Sequence, residues 1–414
     1  MRQSQLFTKI AKCTSAEDLS ANARLLNQGG FIFQEIAGVY SYLPLGLRVL
    51  HKIEQIVREE MDAIGATEML MPSLSSKSSW EITGRIDTVD VLFKALGANI
   101  HSSTKNPTEY ILNSTHEEVI TPTVKSFLNS YKDFPKAVYQ IQTKFRNEAR
   151  AKSGILRGRE FRMKDLYSFH TNSGDFENYY ETVKRAYFKI FDRLSLKNIT
   201  KYTYASGGDF SDKYSNEFQV VTEVGEDEIN ICSKCDTAYN KEIFTENFEC
   251  IICGRKVFTK HKACEVGNIF TLGSKYTKAF NFNFIDKDNK QKEVLMGCYG
   301  IGTSRLMGVV VEAMHSDDAI LWPDSIAPFK YHIISIGEDD LVVEKSQTLY
   351  ETLMSESNGD VLWDDRSDTS AGQKLKDAQL IGVPARIIIS AKSMGKGGYE
   401  FKYRNEEEKI IPLK

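Results

Sequence analysis

The sequence predicts an α+β protein: an antiparallel sheet flanked by helices, followed by a small α/β domain. Three observations carry this reading. A helix-then-strand unit opens the ordered part, two later strands follow one another without a regular crossover, and the last ~85 residues alternate strand and helix. In the first unit Leu47, Leu50, Ile53, Val57, Met61 and Ile64 recur at spacings of three and four, an amphipathic helix over 47–64. Gly65 stops it, and 66–71 reads as a short strand closed by Pro72. Residues 139–146 and 160–170 read as strands with a basic loop between them, and 175–194 has a helical pattern. Residues 296–298 lead through glycine-rich chain into a helix from about Ser304. The two prolines within 322–328 mark a linker. Beyond it 331–336, 361–363 and 385–390 read as strands separated by helices over 344–355 and 372–380, with a hairpin loop at 395–398. The expected domains are therefore 1–325, holding a short cysteine-rich segment at 222–264, and 329–414.

Composition narrows the class. The chain has 414 residues, enough for two or three domains, and with 41% hydrophobic and 26% charged residues it is globular rather than disordered or fibrous. Its 53 Lys and Arg nearly balance 56 Asp and Glu, which argues against a protein that coats nucleic acid nonspecifically. No run approaches a membrane span, and residues 1–30 lack an apolar signal core, so a cytoplasmic protein with no membrane partner is expected.

Seven cysteines are present, and Cys232, Cys235, Cys250 and Cys253 form two C-x-x-C pairs with 14 residues between them. That spacing matches a zinc ribbon with a closed, structural Zn2+ site. Two disulfides or four free thiols are the alternatives. Cys13, Cys264 and Cys298 stand alone.

Three constellations carry chemistry. Between Lys144 and Lys164 eight basic residues face only two acids, Glu148 and Glu160. On a hairpin Arg146 and Glu148 share one face, so an anion is the implied ligand and the acid can accept from an amine; a solvated basic hairpin is the alternative. Residues 297–305 (GCYGIGTSR) place glycines before Arg305, where a helix begins. This is neither a dinucleotide fingerprint nor a P-loop. Residues 113–118 (NSTHEE) read either as a capping box, with Thr115 as N-cap and Glu118 reaching back, or as Thr115 and Glu117 facing a small ammonium group.

In this order, the helix-strand-Pro72 unit, FRNE at 145–148 with RGREF at 157–161, and GIGTSR at 300–305 resemble the three motifs of class II aminoacyl-tRNA synthetases. The phrases THE at 115–117, YQIQTKFRNEAR, REFRMKDLYSFH and MGCYGIGTSRL are similar to the bacterial-type prolyl-tRNA synthetases, and the similarity covers almost the whole chain. The resemblance implies a class II catalytic sheet, a C-terminal anticodon-binding domain, and a ligase that uses ATP with Mg2+, L-proline and tRNA(Pro). It assigns Arg146 to the α-phosphate and the proline carboxylate, Glu148 and Phe161 to adenine, and Arg305 to the γ-phosphate. Thr303 and Arg157 would contact ATP, Thr115 and Glu117 would hold the imino group, and Cys298 would line the pocket. A homodimer is implied, because the first motif forms the subunit interface in this family, and no general base is expected among the side chains. A catalytically inactive paralogue, acting as a regulatory or RNA-binding subunit, is the alternative. In the C-terminal domain RNA contacts are expected near Arg366, Lys374, Lys392 and Arg404.

Three departures stand out. Residues 209–214 lengthen the linker after Ser206-Gly207-Gly208, and Asn216 stands where the family has a pocket histidine. Only about 45 residues, roughly 222–264, stand between the second and third motifs in the place where many bacterial members carry an editing domain, which implies a free-standing trans-editing deacylase or tolerance of error. The four cysteines lie within that shortened gap, as a zinc-ribbon-like insertion.

Overall fold

The computed structural model describes residues 1–10, 20–208 and 215–413; Cys13 and the linker at 209–214 lie outside them. The chain divides into two compact units, Ile36–Val39 with Ile53–Val309, and Met1–Glu35 with Tyr40–Lys52 and Val310–Lys414.

The first unit is built on a nine-stranded sheet. Its elements are the latter part of α1 (Pro44–Ala63), β1 (Thr67–Glu68), α2 (Glu117–Lys125), β2 (Lys136–Phe145), β3 (Glu160–His170), α3 (Ser173–Arg193), β4 (Thr200–Ala205), β5 (Ser215–Val221), β6 (Asp227–Cys232), β7 (Ala238–Asn240), β8 (Phe258–Gly273), β9 (Leu295–Ile301) and the start of α4 (Thr303–Ala313). The strand order is β5-β4-β7-β6-β8-β9-β3-β2-β1, with β5 also paired to β8. As expected the sheet is mainly antiparallel; β1 with β2 and β7 with β4 are its parallel pairs.

Periodicity explains the hairpin β2–β3. Its strands pair from Lys136↔Phe169 to Phe145↔Glu160, and the end of β3 is buried without a break because both faces of the sheet are covered. On one face α3, capped by Asn172, packs Tyr187 and Phe191 against Phe218. On the other, Tyr167, Phe169, Met296 and Cys298 meet Ile120 and Val124 of α2. Each large apolar side chain buried this way contributes ~1.5–3 kcal/mol.

The cysteine-rich segment is not an appendage. β6 and β7 carry it into the middle of the sheet, where β6 pairs with β8 from Asp227↔Ala263 to Cys232↔Phe258. The stretch 222–264, expected from the family resemblance to be a short insertion, thus contributes strands to the catalytic sheet.

The second unit contains β10 (Tyr331–Ile336), α5 (Asp340–Glu356), β11 (Val361–Asp364), α6 (Ala371–Ile381), β12 (Ala385–Ser390), β13 (Gly398–Tyr403) and β14 (Lys409–Pro412). The sheet order is β11-β10-β12-β13-β14, parallel in its first three strands and antiparallel in its last two. The alternation expected from sequence is present, and a short helix, Ala391–Gly395, precedes the turn into β13. Residues far upstream belong to this unit as well. The Trp363 amide donates to Met1 O at 2.9 Å, Ser4 donates to Asp365, and Arg48 and Lys52 both pair with Asp360 at 2.9 Å. These bonds join residues 1–35 and 40–52 to 310–414 in one compact unit.

Candidate active site

The loop after β2 and the start of α4 meet at a cavity of about 230 Å³ lined by Arg146, Glu148, Arg157, Arg305, Asp227, Cys264 and Glu265, among others. Backbone pairing fixes its base: the Arg146 amide donates to Arg159 O at 2.8 Å, and the Arg159 amide donates to Gly38 O at 2.7 Å. Gly38 has φ +78°, and a Cβ there would lie 2.5 Å from the Ala151 Cβ, so this contact requires glycine. Glu148 accepts from both Nε and Nη2 of Arg157 at 2.8 and 2.7 Å, while Arg157 Nη1 donates to Glu226 at 2.7 Å.

The two remaining arginines differ in a way that matters. Arg305 Nε and Nη1 donate to the carbonyls of Leu156 and Glu265 at 2.8 and 2.7 Å, which hold the guanidinium in place. Arg146 has no ion pair with any described residue; its guanidinium lies over the Phe161 ring, 5.1 Å from the centroid. Burial and then the Arg305 charge push the Arg146 pKa below the ordinary arginine value. A bound anion relieves both effects, so the cavity favours a negatively charged ligand.

A second group lies within electrostatic reach of Arg146 through Glu117. Glu117, at the first position of α2, is fully buried, and its Oε1 accepts from the Cys298 thiol at 3.2 Å. The capping-box alternative is overturned. His116 occupies the N-cap without a side-chain cap, and Glu118 turns instead to Thr83 and Arg85. Arg85 was not singled out in the sequence, yet its Nη1 reaches Thr115 Oγ1 at 3.1 Å, Glu117 Oε2 at 3.4 Å and Glu118 Oε1 at 3.0 Å. An isolated arginine in Thr83-Gly84-Arg85 offers no pattern by which to find it.

The basic hairpin is also sorted by the structure. Lys144 is fully buried between Asp165 at 2.7 Å and His116 Nδ1 at 2.6 Å, while His116 Nε2 faces Pro72 O at 3.0 Å. Lys164, also fully buried, donates to Tyr187 and to Tyr299 O. Arg162 pairs with Glu54 at 2.9 Å, and Arg159 donates to the Glu148 and Ala37 carbonyls. Of the eight basic residues, Arg146 and Arg157 line the cavity.

Two expected site residues fall elsewhere. Thr303 is fully buried with its hydroxyl on Glu54 at 3.4 Å, and it does not line the cavity. Asn216 pairs with Ile269, which pairs with Tyr299, whereas Cys298 pairs with Phe270. Paired residues of an antiparallel sheet share a face, so Asn216 lies on the face opposite Cys298. Its Oδ1 accepts from Tyr180 of α3 at 2.9 Å. The structure therefore corrects the placement of Asn216 in the pocket with Thr115, Glu117 and Cys298.

The four cysteines do come together. Their sulfurs lie within 4.8 Å of one another, with Cys232 to Cys253 at 3.6 Å and Cys235 to Cys250 at 3.4 Å. These separations exceed the ~2.05 Å of a disulfide and approach the ~3.8 Å between thiolates on a tetrahedral Zn2+. The two turns are copies of one another. Cys232 N donates to Thr237 O and Asp236 N to Cys232 O; Cys250 N donates to Arg255 O and Gly254 N to Cys250 O. Asp236 and Gly254 both have positive φ, 60° and 67°. Tyr239, Phe244, Phe248 and Phe258 pack around them.

Comparison with known proteins places this geometry. Residues 100–314 match the family model described as tRNA synthetase class II core domain (G, H, P, S and T), and residues 330–413 match the anticodon binding domain. The chain is similar to the proline-tRNA ligase of Ehrlichia canis, 36% identical over 99% of this chain and 97% of that protein. It is similar to that of Caulobacter vibrioides, 34% identical over 99% and 96%, and to that of Persephonella marina, 32% identical over 99% and 97%. The Persephonella match runs over 561 positions against the 414 residues of this chain. Among solved structures, Giardia lamblia prolyl-tRNA synthetase in complex with prolyl-adenylate superimposes with TM-score 0.75 at 20% identity, covering 94% of this chain and 74% of that one. The Cryptosporidium parvum enzyme complexed with L-proline and AMP gives TM-score 0.75 at 16% identity, covering 95% and 72%.

Proposed function

This chain belongs to the class II tRNA synthetases and, within them, to the proline-tRNA ligases, and from that premise we propose how its residues activate L-proline with ATP and pass it to tRNA(Pro). The observation that carries the assignment is the pairing of an anion cavity bearing Arg146 and Arg305 with the buried carboxylate of Glu117. One part suits phosphates and the other suits an ammonium group.

In the first step a proline carboxylate oxygen attacks the α-phosphorus and the bond from that phosphorus to the β-bridging oxygen breaks, giving prolyl-adenylate and pyrophosphate. Arg146, with no ion pair among the described residues, would hold the α-phosphate and the carboxylate together, and Arg305 would take the γ-phosphate. Glu148 would accept from the adenine amine once its Arg157 contacts are shared, and Phe161 would support the Arg146 plane. Thr115 and Glu117 would bind the imino group beside Cys298. In the second step a hydroxyl of the terminal adenosine attacks the prolyl carbonyl and AMP departs. Positioning and charge neutralisation account for catalysis, since phosphoryl transfer asks the protein for little covalent chemistry. Mg2+ bound with the nucleotide would supply further charge neutralisation; Asp227 and Glu265, on the same cavity wall, offer the carboxylate oxygens it takes. Retention of both phosphate arginines speaks against the inactive-paralogue alternative. The direct test is pyrophosphate exchange into ATP with proline, alanine, threonine or no amino acid. Proline-dependent exchange is expected, with weaker exchange for alanine; silence with every amino acid overturns the reading.

Finer features follow. Cys232, Cys235, Cys250 and Cys253 would hold a structural Zn2+, and exchanging Cys232 and Cys235 for Ser lowers the melting temperature by about 5–10 °C with little change in KM for ATP. Unchanged melting and no bound metal in the parent protein contradict the site. A homodimer fits the apolar cavity of about 1210 Å³ in the second unit, lined by Phe7, Phe33, Tyr42 and Leu47, where Phe7 is 77% and Phe33 56% exposed. The short gap between motifs, and the longer Persephonella alignment, support reliance on a separate trans-editing deacylase. Among the described residues no helix is long and apolar enough to cross a membrane, and tRNA charging suits a cytoplasmic location. In the C-terminal domain Arg366 is held by Asp364 and Asp377, Lys374 by Ser335 O and Arg404 by Trp322 O. Exposed Lys392 is the better candidate for RNA contact.

A further inference from the structure

We propose that Arg85 is a positioning residue for the substrate imino group: by reaching Thr115, Glu117 and Glu118 together it fixes the hydroxyl and the carboxylate that meet proline and sets the charge around them. This deepens the reading given above and rests on it.

Arg85 is 3% exposed, and its guanidinium lies 5.2 Å from the Trp80 ring centroid and 5.7 Å from that of Tyr276. These rings leave the side chain little rotational freedom. Its Nη1 is 3.0 Å from both carboxylate oxygens of Glu118, 3.4 Å from Glu117 Oε2 and 3.1 Å from Thr115 Oγ1. Thr83 adds a bond to Glu118 at 2.9 Å. Glu118 thus anchors Nη1 through two 3.0 Å contacts, while the longer 3.4 Å contact leaves Glu117 able to serve a second cation.

Charge completes the picture. One guanidinium against two buried carboxyl groups leaves acceptor oxygens in excess of donors, an arrangement that suits one further cation such as an imino group. Although burial opposes its charge, Glu117 and Glu118 together raise the Arg85 pKa. Burial raises the Glu118 pKa, and Arg85 pulls against it. Lys144 and Asp165, which also act on this region, offset one another as a buried pair.

The test uses purified full-length protein in pyrophosphate exchange, with KM for proline, KM for ATP and kcat measured separately. Exchange by the parent protein with proline must come first; its failure would strike the functional assignment and not Arg85. Arg85→Met is expected to raise KM for proline at least 30-fold while KM for ATP stays within threefold, and Arg85→Lys to recover at least a third of that loss on a logarithmic scale. Glu118→Gln, which neutralises the anchor without touching substrate, is expected to raise KM for proline about tenfold. A merely structural role lowers the amount of active protein and leaves both KM values unchanged. If Arg85→Met fails to fold, Arg85→Lys and Glu118→Gln decide. KM for proline within threefold of the parent in the folded variants overturns the proposal, as does an equal rise in both KM values.

Discussion

Arg305→Ala lowers proline-dependent pyrophosphate exchange by at least 1000-fold and leaves the melting temperature within a few degrees of the parent. The size follows from its position. Arg305 is one of three guanidinium groups on the anion cavity, and its two carbonyl contacts, with Leu156 and Glu265, aim it before any ligand arrives. Removing one preorganised donor at a site of developing charge costs ~2.7–4 kcal/mol, and loss of a full charge beside a polyphosphate reaches the upper end and beyond. The fold loses two side-chain-to-carbonyl bonds at a partly open site, worth ~0.5–1.5 kcal/mol each. Separate kcat and KM values for ATP, with melting curves, check both halves. Activity within tenfold of the parent contradicts the assignment of Arg305 to phosphate.

Lys144→Met has the opposite signature, a loss of stability first. Lys144 and Asp165 form a fully buried ion pair at 2.7 Å, and Gln140 Nε2 donates to the other carboxylate oxygen at 2.9 Å. Burial and the neighbouring charges act on both groups; burial lowers the Lys144 pKa, and for Asp165, where burial is the largest influence and works the other way, the Lys144 and His116 charges with the Lys144 and Gln140 contacts together hold the carboxyl below its ordinary value. Methionine fills the space of the lysine stem but leaves the carboxylate uncompensated, and breaking one side of such a pair costs ~3–5 kcal/mol. His116 Nδ1 loses its donor as well, which loosens the Thr115–Glu117 loop. Urea denaturation is expected to show this loss, and a decrease below ~1 kcal/mol would contradict the buried pair. Changing Lys144 to Met and Asp165 to Leu together should recover part of it, since an apolar pair bears no desolvation cost.

The contrast between these residues shows what the sequence discloses. Arg146, Glu148 and Arg305 were legible because their motifs come in a fixed order, and the structure gathers them on one cavity. Lys144 and Lys164 counted toward the same positive stretch, although both are buried structural groups; charge density along a chain does not report depth. Asn216 was misplaced for a different reason. Its face depends on the β5–β8 register, and a shift of one residue sends a side chain to the other side of a sheet. The helices and strands with clear periods were found within a few residues, as with the helix expected over 175–194 and observed as Ser173–Arg193. The sixteen-residue strand Phe258–Gly273 was not, because it pairs with β6, β5 and β9 along its length and follows no single burial pattern. Arg85 had no local pattern at all, and only tertiary contact reveals it.

The most direct measurement is transfer of labelled L-proline to the 3′ end of a tRNA(Pro) transcript by the purified protein, run with ATP and Mg2+ and again without ATP. The account predicts ATP-dependent charging that stops when the terminal adenosine is removed. Proline-dependent exchange without any charging, or charging with another amino acid in preference to proline, would contradict it.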